Sequence, residues 1–409
     1  MKIKEVRVIV TCPTRNFVLV KIITDEGVYG VGDATLNGRE LAVAAALEQH
    51  IAPLLIGRDP DRIEDTWQYL ARGSYWRGGP VQMTAIAGVD LALWDIKGKV
   101  CGKPVYSLLG GKTREGALCY THCGGRDFLE VEENVRAAME RGYKVIRVQV
   151  GIPGSTSTYG VGAGKIKKNE NAGMKWVEQE ALPQEEIWEP GPYLRTIPRL
   201  FEHLRLKLGD EIDLFHDVHE RLTPIQAARL AKECEPFHPF FLEDCLRPEH
   251  KESFRLVRQA STTPLAMGEL YHNKWDCLPV ISEQLIDYIR CDLAHIGGIT
   301  EAKKIAAIAE AYAVQTAWHG PGDIAPCTHA ANVHVDISIP NFGVQEVVHF
   351  PKELQEVMPG GPTYSDGKMW VSDAPGLGTD INEKAAKKYP YKRAYLPLTR
   401  RADGAMHDW

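Results

Sequence analysis

The sequence lacks the features of a membrane or nucleic-acid-binding protein. It contains no apolar run of about 18 residues, the length that a membrane-spanning helix requires. The first residues, MKIKEVRVIV, lead directly into a strand pattern and do not resemble a signal peptide. The net charge is −6 and no block of basic residues is present. We therefore expect a cytoplasmic protein without a membrane or nucleic-acid partner.

Paired cysteines are also missing. The nine cysteines are odd in number and scattered, which is typical of free thiols in a reducing compartment rather than of a disulfide framework. Cys119 and Cys123 flank His122, but alternation along a strand places His122 on the opposite face from both. A zinc site at this point is therefore not expected.

Three apolar runs that end in an acid are the most distinctive feature of the chain. They are HDVH at 216–219, FLEDC at 241–245 and MGEL at 267–270, and they present Asp217, Glu243 and Glu269 at an equal interval of 26 residues. That interval is the length of one strand, one helix and two loops. In a barrel of such units, the carboxyl ends of neighbouring parallel strands converge, and active sites lie there.

Three converging carboxylates would repel one another unless a cation held them. Hard oxygen ligands with room for water and substrate favour Mg²⁺. A single acid on a buried strand is more often structural or paired with arginine. Three acids in register with strand ends favour the metal site.

The rest of the chain reads as a smaller α/β region followed by alternating strands and helices. Residues 2–11, 17–24 and the VYGVGDA stretch predict an antiparallel meander, and helices are expected at about 39–52, 61–72 and 81–100. Further strands are predicted at about 116–122, 144–150, 212–219, 239–245, 264–270, 286–292, 314–319 and 343–348. Amphipathic helices are expected between them, for example at 128–142, 223–235 and 300–313. The connection 151–188 is unusually long, which favours a lid at the catalytic end.

These motifs resemble the enolase superfamily. The stretch IAGVDLALWDIKGKVCGKPVYSLLGG at 86–111 is similar to the end of the family's first domain, and CDLAHIGGIT at 291–300 is similar to its sixth barrel strand and following turn. Asp217, Glu243 and Glu269 match its metal ligands. The resemblance implies an α/β fold, a modified (β/α)₇β barrel of the TIM type at 116–355. A capping domain would come from 1–115 and be completed by 356–409.

The second barrel strand narrows the resemblance to one subgroup. Other subgroups carry lysine bases there, whereas this chain has Arg147 and Gln149, and Tyr159 follows in the loop. This combination resembles the mannonate dehydratases, whose base is a tyrosine paired with an arginine. A guanidinium would stabilise the phenolate and lower the pKa of the tyrosine. Without the resemblance, Tyr159 would be read as an ordinary loop aromatic.

The resemblance implies roles for further polar residues. His219 shares a strand face with Asp217 and is expected to be a general acid, whereas His216 points away and is expected to be structural. His319 could act as acid, base or substrate ligand, with Asp292 as its carboxylate partner. Hydroxyl or carboxylate binding is expected from the residues at other strand ends and in the cap: Asn37, His122, Arg290, Asp323, Glu346 and Trp409.

The sequence therefore predicts a Mg²⁺-dependent sugar-acid dehydratase that forms homo-oligomers. The expected reaction converts D-mannonate, D-gluconate or both into 2-keto-3-deoxy-D-gluconate. Proton abstraction at C2 is followed by loss of the 3-hydroxyl. Two alternatives stay open: dehydration or racemisation of another sugar acid, and a non-catalytic protein that binds metabolites on an inherited scaffold.

Overall fold

The computed structural model describes residues 1–157, 159, 175–176 (backbone only), 183 and 185–408. Trp409 and most of 158–184 therefore lie outside the described residues.

Eighteen strands occur in the described part of the chain. They are β1 (Ile3–Thr11), β2 (Phe17–Thr24), β3 (Tyr29–Asp33), β4 (Ala117–Gly125), β5 (Val145–Val150), β6 (Lys175–Trp176), β7 (Glu185–Ile187), β8 (Asp213–Asp217), β9 (Leu242–Glu243), β10 (Leu265–Met267), β11 (Tyr288–Ile289), β12 (Gln315–Thr316), β13 (Gln345–Glu346), β14 (Thr363–Ser365), β15 (Lys368–Trp370), β16 (Ala394–Tyr395), β17 (Leu398–Arg400) and β18 (Met406–His407).

Fourteen α-helices accompany these strands within the same described ranges. They are α1 (Glu40–Ala46), α2 (Ala52–Leu55), α3 (Ile63–Arg72), α4 (Pro80–Cys101), α5 (Val105–Leu108), α6 (Phe128–Glu140), α7 (Pro190–Leu208), α8 (Pro224–Cys234), α9 (Phe254–Ala260), α10 (Lys274–Ser282), α11 (Ile299–Ala311), α12 (Pro326–Asp336), α13 (Lys352–Val357) and α14 (Glu383–Ala386). A π-helix at Leu47–Ile51 and 3₁₀ turns at Glu235–Phe237 and Pro248–Ser253 complete the set.

The chain divides into two compact units. Unit 1 comprises Met1–Leu118, Glu269–Leu278 and Arg290–Lys392, and unit 2 comprises Cys119–Gly268, Pro279–Ile289 and Arg393–Trp409.

Unit 1 begins with an antiparallel meander in which β2 lies between β1 and β3. Helix α4 is apolar on most of its surface and is buried along most of its length. A Cβ on Gly32 would lie 2.0 Å from the carbonyl oxygen of Gly88, so a side chain larger than hydrogen at this point would push β3 away from α4. The meander and helices α1–α4 share one apolar core that includes Val20, Leu47 and Ile86.

Unit 2 is built around a parallel sheet. Strands β4, β5, β8, β9, β10 and β11 are neighbours in that order, and each pairs in parallel with the next. Helices connect these strands, and the capping residues of α8 explain why that helix begins at Pro224. Thr223 and Gln226 form a reciprocal capping box, and Pro224 occupies the first turn. The carboxyl ends of the parallel strands consequently share one edge.

The long connection 151–188 has its two ends hydrogen-bonded to each other. The backbone N–H of Thr156 and the hydroxyl of Ser155 both donate to the carbonyl of Ile187, at 3.0 and 2.6 Å. The Ile187 N–H donates in return to the Thr156 hydroxyl at 2.8 Å. Strand β17 pairs with β7, and the Trp188 N–H donates to Arg400 O at 2.9 Å. We call this hydrogen-bonded base, residues 155–156 with 185–188, the neck of the connection.

The predicted elements match the observed ones closely. All eight predicted strands of the second region are present as β4, β5 and β8–β13, although most are shorter than expected, and the meander forms β1–β3. Two boundaries near the site were wrong. Strand β4 continues to Gly125 and does not end at His122, and β8 ends at Asp217, so the left-handed His219 does not share a strand face with Asp217 as predicted. No helix in the described ranges is long and apolar enough to cross a membrane.

Candidate active site

Three buried carboxylates lie together at the carboxyl edge of the unit 2 sheet. Asp217 ends β8, Glu243 ends β9, and Asp244 follows directly. One oxygen from each lies within 4.8 Å of the others, and each residue is at most 2% exposed. Buried like charges at this spacing require a counter-cation, and an all-oxygen donor set suits Mg²⁺. These residues can therefore hold a magnesium ion.

Asp244 was missing from the residues predicted for this cluster. Strand alternation would have directed it away from Glu243. The strand has already ended at this point, and Asp244 adopts a left-handed backbone conformation with φ of 41°. The N–H of Gly268 donates to its carboxylate at 3.0 Å. The adjacent acids in FLEDC were the available sequence signal.

Arg147 lies on β5 beside the acidic cluster and is 8% exposed. Its Nη1 donates to the Asp217 carboxylate at 2.8 Å and to the Tyr159 hydroxyl at 3.3 Å. Its Nη2 lies 3.2 Å from Nδ1 of His122, which is exposed on β4. Tyr159 in turn donates a short hydrogen bond to Asp217. The structure thus brings together four of the sequence-predicted site residues.

The ring of Tyr159 is surrounded by side chains from the β8–α8 loop. The His219 ring centroid lies 4.2 Å from that of Tyr159, and the guanidinium carbon of Arg221 lies 4.5 Å from the same centroid. His219 and Glu220 are consecutive left-handed residues with φ of 57° and 62°. For residues with a side chain this costs about 1–3 kcal/mol each, and such strain is typical of functional loops.

His216 has the structural role that was expected for it. It is fully buried on β8, and its ring nitrogens contact Val148 O at 2.8 Å and the Tyr193 hydroxyl at 2.6 Å. Burial lowers the pKa of His216 to about 4, so the imidazole is neutral.

Unit 1 carries a second group of predicted site residues, centred on His319. Nδ1 of His319 lies 2.9 Å from the Asp292 carboxylate, and Nε2 lies 3.6 Å from the carboxylate of Glu269. Burial lowers the pKa of His319, but the neighbouring carboxylates, Glu269 foremost, outweigh it and raise the pKa to about 10. A cation bound to Glu269 would offset part of that increase.

Two further pairs in unit 1 involve predicted binding residues. Arg290 is fully buried, with Nη2 at 3.5 Å from the Glu346 carboxylate, which also accepts from the Gly320 N–H at 2.8 Å. In the loop after β3, the Asn37 amide donates to Asp323 at 2.6 Å. The remaining predicted residue, Trp409, lies outside the described residues.

The chain belongs to the enolase superfamily. Residues 5–110 match the family model of the mandelate racemase / muconate lactonizing enzyme N-terminal domain, and residues 130–385 match the enolase C-terminal domain-like model. The fold is accordingly an N-terminal capping domain with a C-terminal barrel.

Full-length relatives narrow the class further. The chain is 52% identical to a D-mannonate dehydratase of Sphingomonas sp. (strain SKA58) and 50% identical to a D-galactonate dehydratase family member of Pseudarthrobacter chlorophenolicus, each over 100% of both chains. It also matches the crystal structure of an enolase from Pantoea ananatis with bound D-gluconate and Mg, with a TM-score of 0.91 and 46% identity over 100% of both chains.

These likenesses confirm the predicted enzyme class. The chain is a hydro-lyase, a sugar-acid dehydratase of the enolase superfamily. The prediction of a magnesium cofactor is confirmed at the level of the family, since the gluconate-bound relative holds Mg and the described residues include an acidic cluster that can hold a metal. The relatives are named for different sugar acids, D-mannonate and D-galactonate.

Proposed function

We propose that this enzyme dehydrates D-mannonate, D-gluconate or both to 2-keto-3-deoxy-D-gluconate. The α-proton of a carboxylate is a weak acid, so its removal requires a positioned base and stabilisation of the charge that develops on the carboxylate. Loss of the 3-hydroxyl then gives an enol, which ketonises to the product.

The observation that carries the proposal is the position of the Tyr159 hydroxyl. It lies within hydrogen-bonding distance of the Arg147 guanidinium and of the Asp217 carboxylate, at the edge of the acidic cluster. A tyrosine becomes a competent base when a cation stabilises its phenolate, and Arg147 remains protonated throughout. We assign the removal of the C2 proton to Tyr159 with Arg147.

Asp217, Glu243 and Glu269 are the proposed magnesium ligands. Bound Mg²⁺ would stabilise the negative charge that develops on the substrate carboxylate. The buried Asp217–Glu243–Asp244 arrangement supports this assignment for two of the three ligands, because it concentrates negative charge that a bound metal ion would relieve.

His219 is the proposed general acid. Its ring lies against Tyr159, so both groups could serve one bound substrate. Tyr159 would accept the proton from C2, and His219 would give a proton to the departing 3-hydroxyl, which leaves as water. The proton balance closes, because one proton is taken and one is given in each turnover.

The remaining sequence-predicted residues complete the proposed site and assembly. His319 is kept as an acid, base or binding group, and the substrate hydroxyls would be bound by Asn37, His122, Arg290, Asp323, Glu346 and Trp409. The domain boundaries at 115 and 355, the lid at 151–188 and a homo-oligomer are likewise proposals.

Gluconate has specific support as the second candidate substrate, because the Pantoea ananatis relative binds it. Mannonate and gluconate are epimers at C2, so they present the α-proton to different faces when the rest of the chain binds alike. A second base would then be needed, and His319 with Asp292 is the available pair.

A screen of sugar acids tests the proposal. The purified enzyme would be incubated with Mg²⁺ and each of a panel of six-carbon acids, and 2-keto-3-deoxy product would be measured. We expect turnover of mannonate, gluconate or both, and none after chelation of the metal. Turnover confined to another acid, or epimerised product without dehydration, would contradict it.

A further inference from the structure

Arg221 is a buried cation with guanidinium nitrogens that lack hydrogen-bond partners within the described residues. It is 6% exposed, and its Nε and Nη2 have no hydrogen-bond partner in the described part of the chain. Burying a charge without hydrogen bonds is costly, so a protein keeps such a group only where another interaction compensates. In a sequence the residue looks ordinary, since it lies in a polar loop two residues after His219.

Aromatic rings supply part of the compensation, beside nearby carboxylates. The guanidinium carbon of Arg221 lies 4.5 Å from the ring centroid of Tyr159 and 5.7 Å from the ring centroid of Trp188. A guanidinium over an aromatic face is attracted by the ring quadrupole, and the attraction is strongest when both partners are removed from water. Arg221 therefore connects the proposed base to the neck of the connection 151–188.

The surrounding backbone holds Arg221 in this place. The left-handed pair His219–Glu220 turns the chain directly before it, and the Glu220 N–H donates to Asp244 O at 2.6 Å. Trp188 stacks on His407 with ring centroids 5.0 Å apart. The backbone directly before Arg221 is thus hydrogen-bonded to the acidic cluster, and the guanidinium lies against the neck.

We propose that Arg221 is a positioning residue that holds the ring of Tyr159 in register with the acidic cluster. The inference rests on the proposed function of Tyr159 as the base. Arg147 donates a hydrogen bond to the hydroxyl of Tyr159, whereas Arg221 lies nearer to the ring, with its guanidinium carbon 4.5 Å from the ring centroid against 5.7 Å for Arg147, so the two arginines have different tasks. Without Arg221 the hydroxyl would lose its fixed distance from the proton it removes, while substrate binding would be retained.

The test compares Arg221→Met and Arg221→Lys with the wild type. We expect kcat to fall about 30-fold in Arg221→Met with KM within about threefold, the size expected for one desolvated cation–π contact. Arg221→Lys keeps the charge but not the planar stacking and should fall in between. The matched control is Arg229→Met on α8, whose side chain is 58% exposed and paired with Glu233, and it should behave like the wild type.

A spectroscopic measurement tests the contact between Arg221 and Tyr159 without relying on enzyme activity. With 3-fluorotyrosine incorporated at position 159, the ¹⁹F resonance should shift in Arg221→Met and Arg221→Lys and stay unchanged in Arg229→Met. An unchanged resonance in both Arg221 variants would overturn the contact. A raised KM at unchanged kcat would also overturn the proposal, because Arg221 would then be a substrate ligand.

Failure of the proposed function gives a different pattern. If Tyr159→Phe retained wild-type turnover, Tyr159 would not be the base, whatever the ¹⁹F resonance showed. If Tyr159→Phe lost turnover while Arg221→Met and Arg221→Lys kept wild-type kcat, the base assignment would stand and the positioning role of Arg221 would fall. Circular dichroism and the melting temperature identify any variant that does not fold, and Arg221→Lys then decides.

Discussion

Tyr159 in unit 2 and His319 in unit 1 lie in opposite electrostatic surroundings. Two guanidinium groups, from Arg147 and Arg221, contact Tyr159, although its hydroxyl also donates to Asp217. His319 instead lies between carboxylates, of which Asp292 is hydrogen-bonded and Glu269 is 3.6 Å away. Cations favour a phenolate and carboxylates favour an imidazolium, so the two guanidinium groups act on Tyr159 in the direction opposite to that in which the carboxylates act on the protonation of His319.

A second histidine shows that the neighbours of His319, and not burial, decide its charge. His334 on α12 is fully buried, its ring nitrogens contact the Tyr106 N–H and Leu377 O, each at 3.3 Å, and its ring stacks on that of Tyr106. Burial lowers the pKa of His334 to about 4, whereas the pKa of His319 is raised to about 10. Carboxylates next to a largely buried imidazole therefore reverse the effect of desolvation.

The largest expected effect tests the proposed magnesium ligands. Asp217→Asn in unit 2 and Glu269→Gln in unit 1 should each weaken Mg²⁺ binding and lower kcat/KM by about 10⁴-fold or more, since each removes a charged ligand. Calorimetric titration with Mg²⁺ and steady-state kinetics measure the two quantities. Glu233→Gln on the exposed side of α8 is the control. Wild-type activity in Glu269→Gln would show that Glu269 is not a magnesium ligand.

Separate replacement of Tyr159 and of His319 tests whether their opposite surroundings reflect different roles. If both act as bases, Tyr159→Phe should lower kcat/KM by roughly 10³-fold on one C2 epimer and His319→Asn by a similar factor on the other. Both variants are measured on mannonate and on gluconate. Equal losses in all four combinations would rule out two bases and leave His319 as an acid or a ligand.

A smaller effect is expected from replacement of Asp292, whose carboxylate is hydrogen-bonded to His319. Asp292→Asn keeps a hydrogen-bond acceptor but removes the charge, so kcat/KM should fall about 10-fold on the substrate that depends on His319. The substrate that does not depend on His319 serves as the internal control. An equal loss on both substrates would mean that Asp292 supports the fold and not the imidazole.

The smallest expected effect concerns stability. Because the folded-state pKa of His334 is about 4 and its ordinary value is 6.5, its neutral form stabilises the protein above pH 6.5 and this contribution is lost as pH falls towards 4. Other buried neutral histidines such as His216 also contribute, so urea unfolding at pH 7 and pH 5 should show a stability loss that is smaller in His334→Gln than in the wild type by roughly 1–3 kcal/mol. The exposed His250→Gln should keep the wild-type pH dependence.

Periodicity and spacing predicted most of the architecture. The alternation of β1–β3, the helical pattern of α4 and the equal interval between Asp217, Glu243 and Glu269 follow from side-chain periods of 2 and 3.6 and from the length of a strand–helix unit. These regularities belong to the ideal strand and helix, so they are visible without coordinates.

The missed residues lie where regular structure ends. Asp244 turns back towards Glu243 because its backbone is left-handed, and alternation gives the wrong face for such a residue. Arg221 follows two left-handed residues and is buried by rings that are distant in sequence. No local pattern encodes either conformation, since tertiary contacts impose both.

The neck makes the part of the connection 151–188 that follows Tyr159 an exchangeable module. The two ends of the connection are tied to each other through Thr156 and Ile187 and to β17 through Arg400, so the pairing of the sheet strands does not depend on the length of chain that the neck encloses. Doubling the enclosed length would cost only about 0.6 kcal/mol of loop-closure entropy. Insertions and grafts from relatives could therefore accumulate between Tyr159 and the second end while Tyr159 and the catalytic edge of the sheet stay the same, which would let substrate preference diverge faster than the fold.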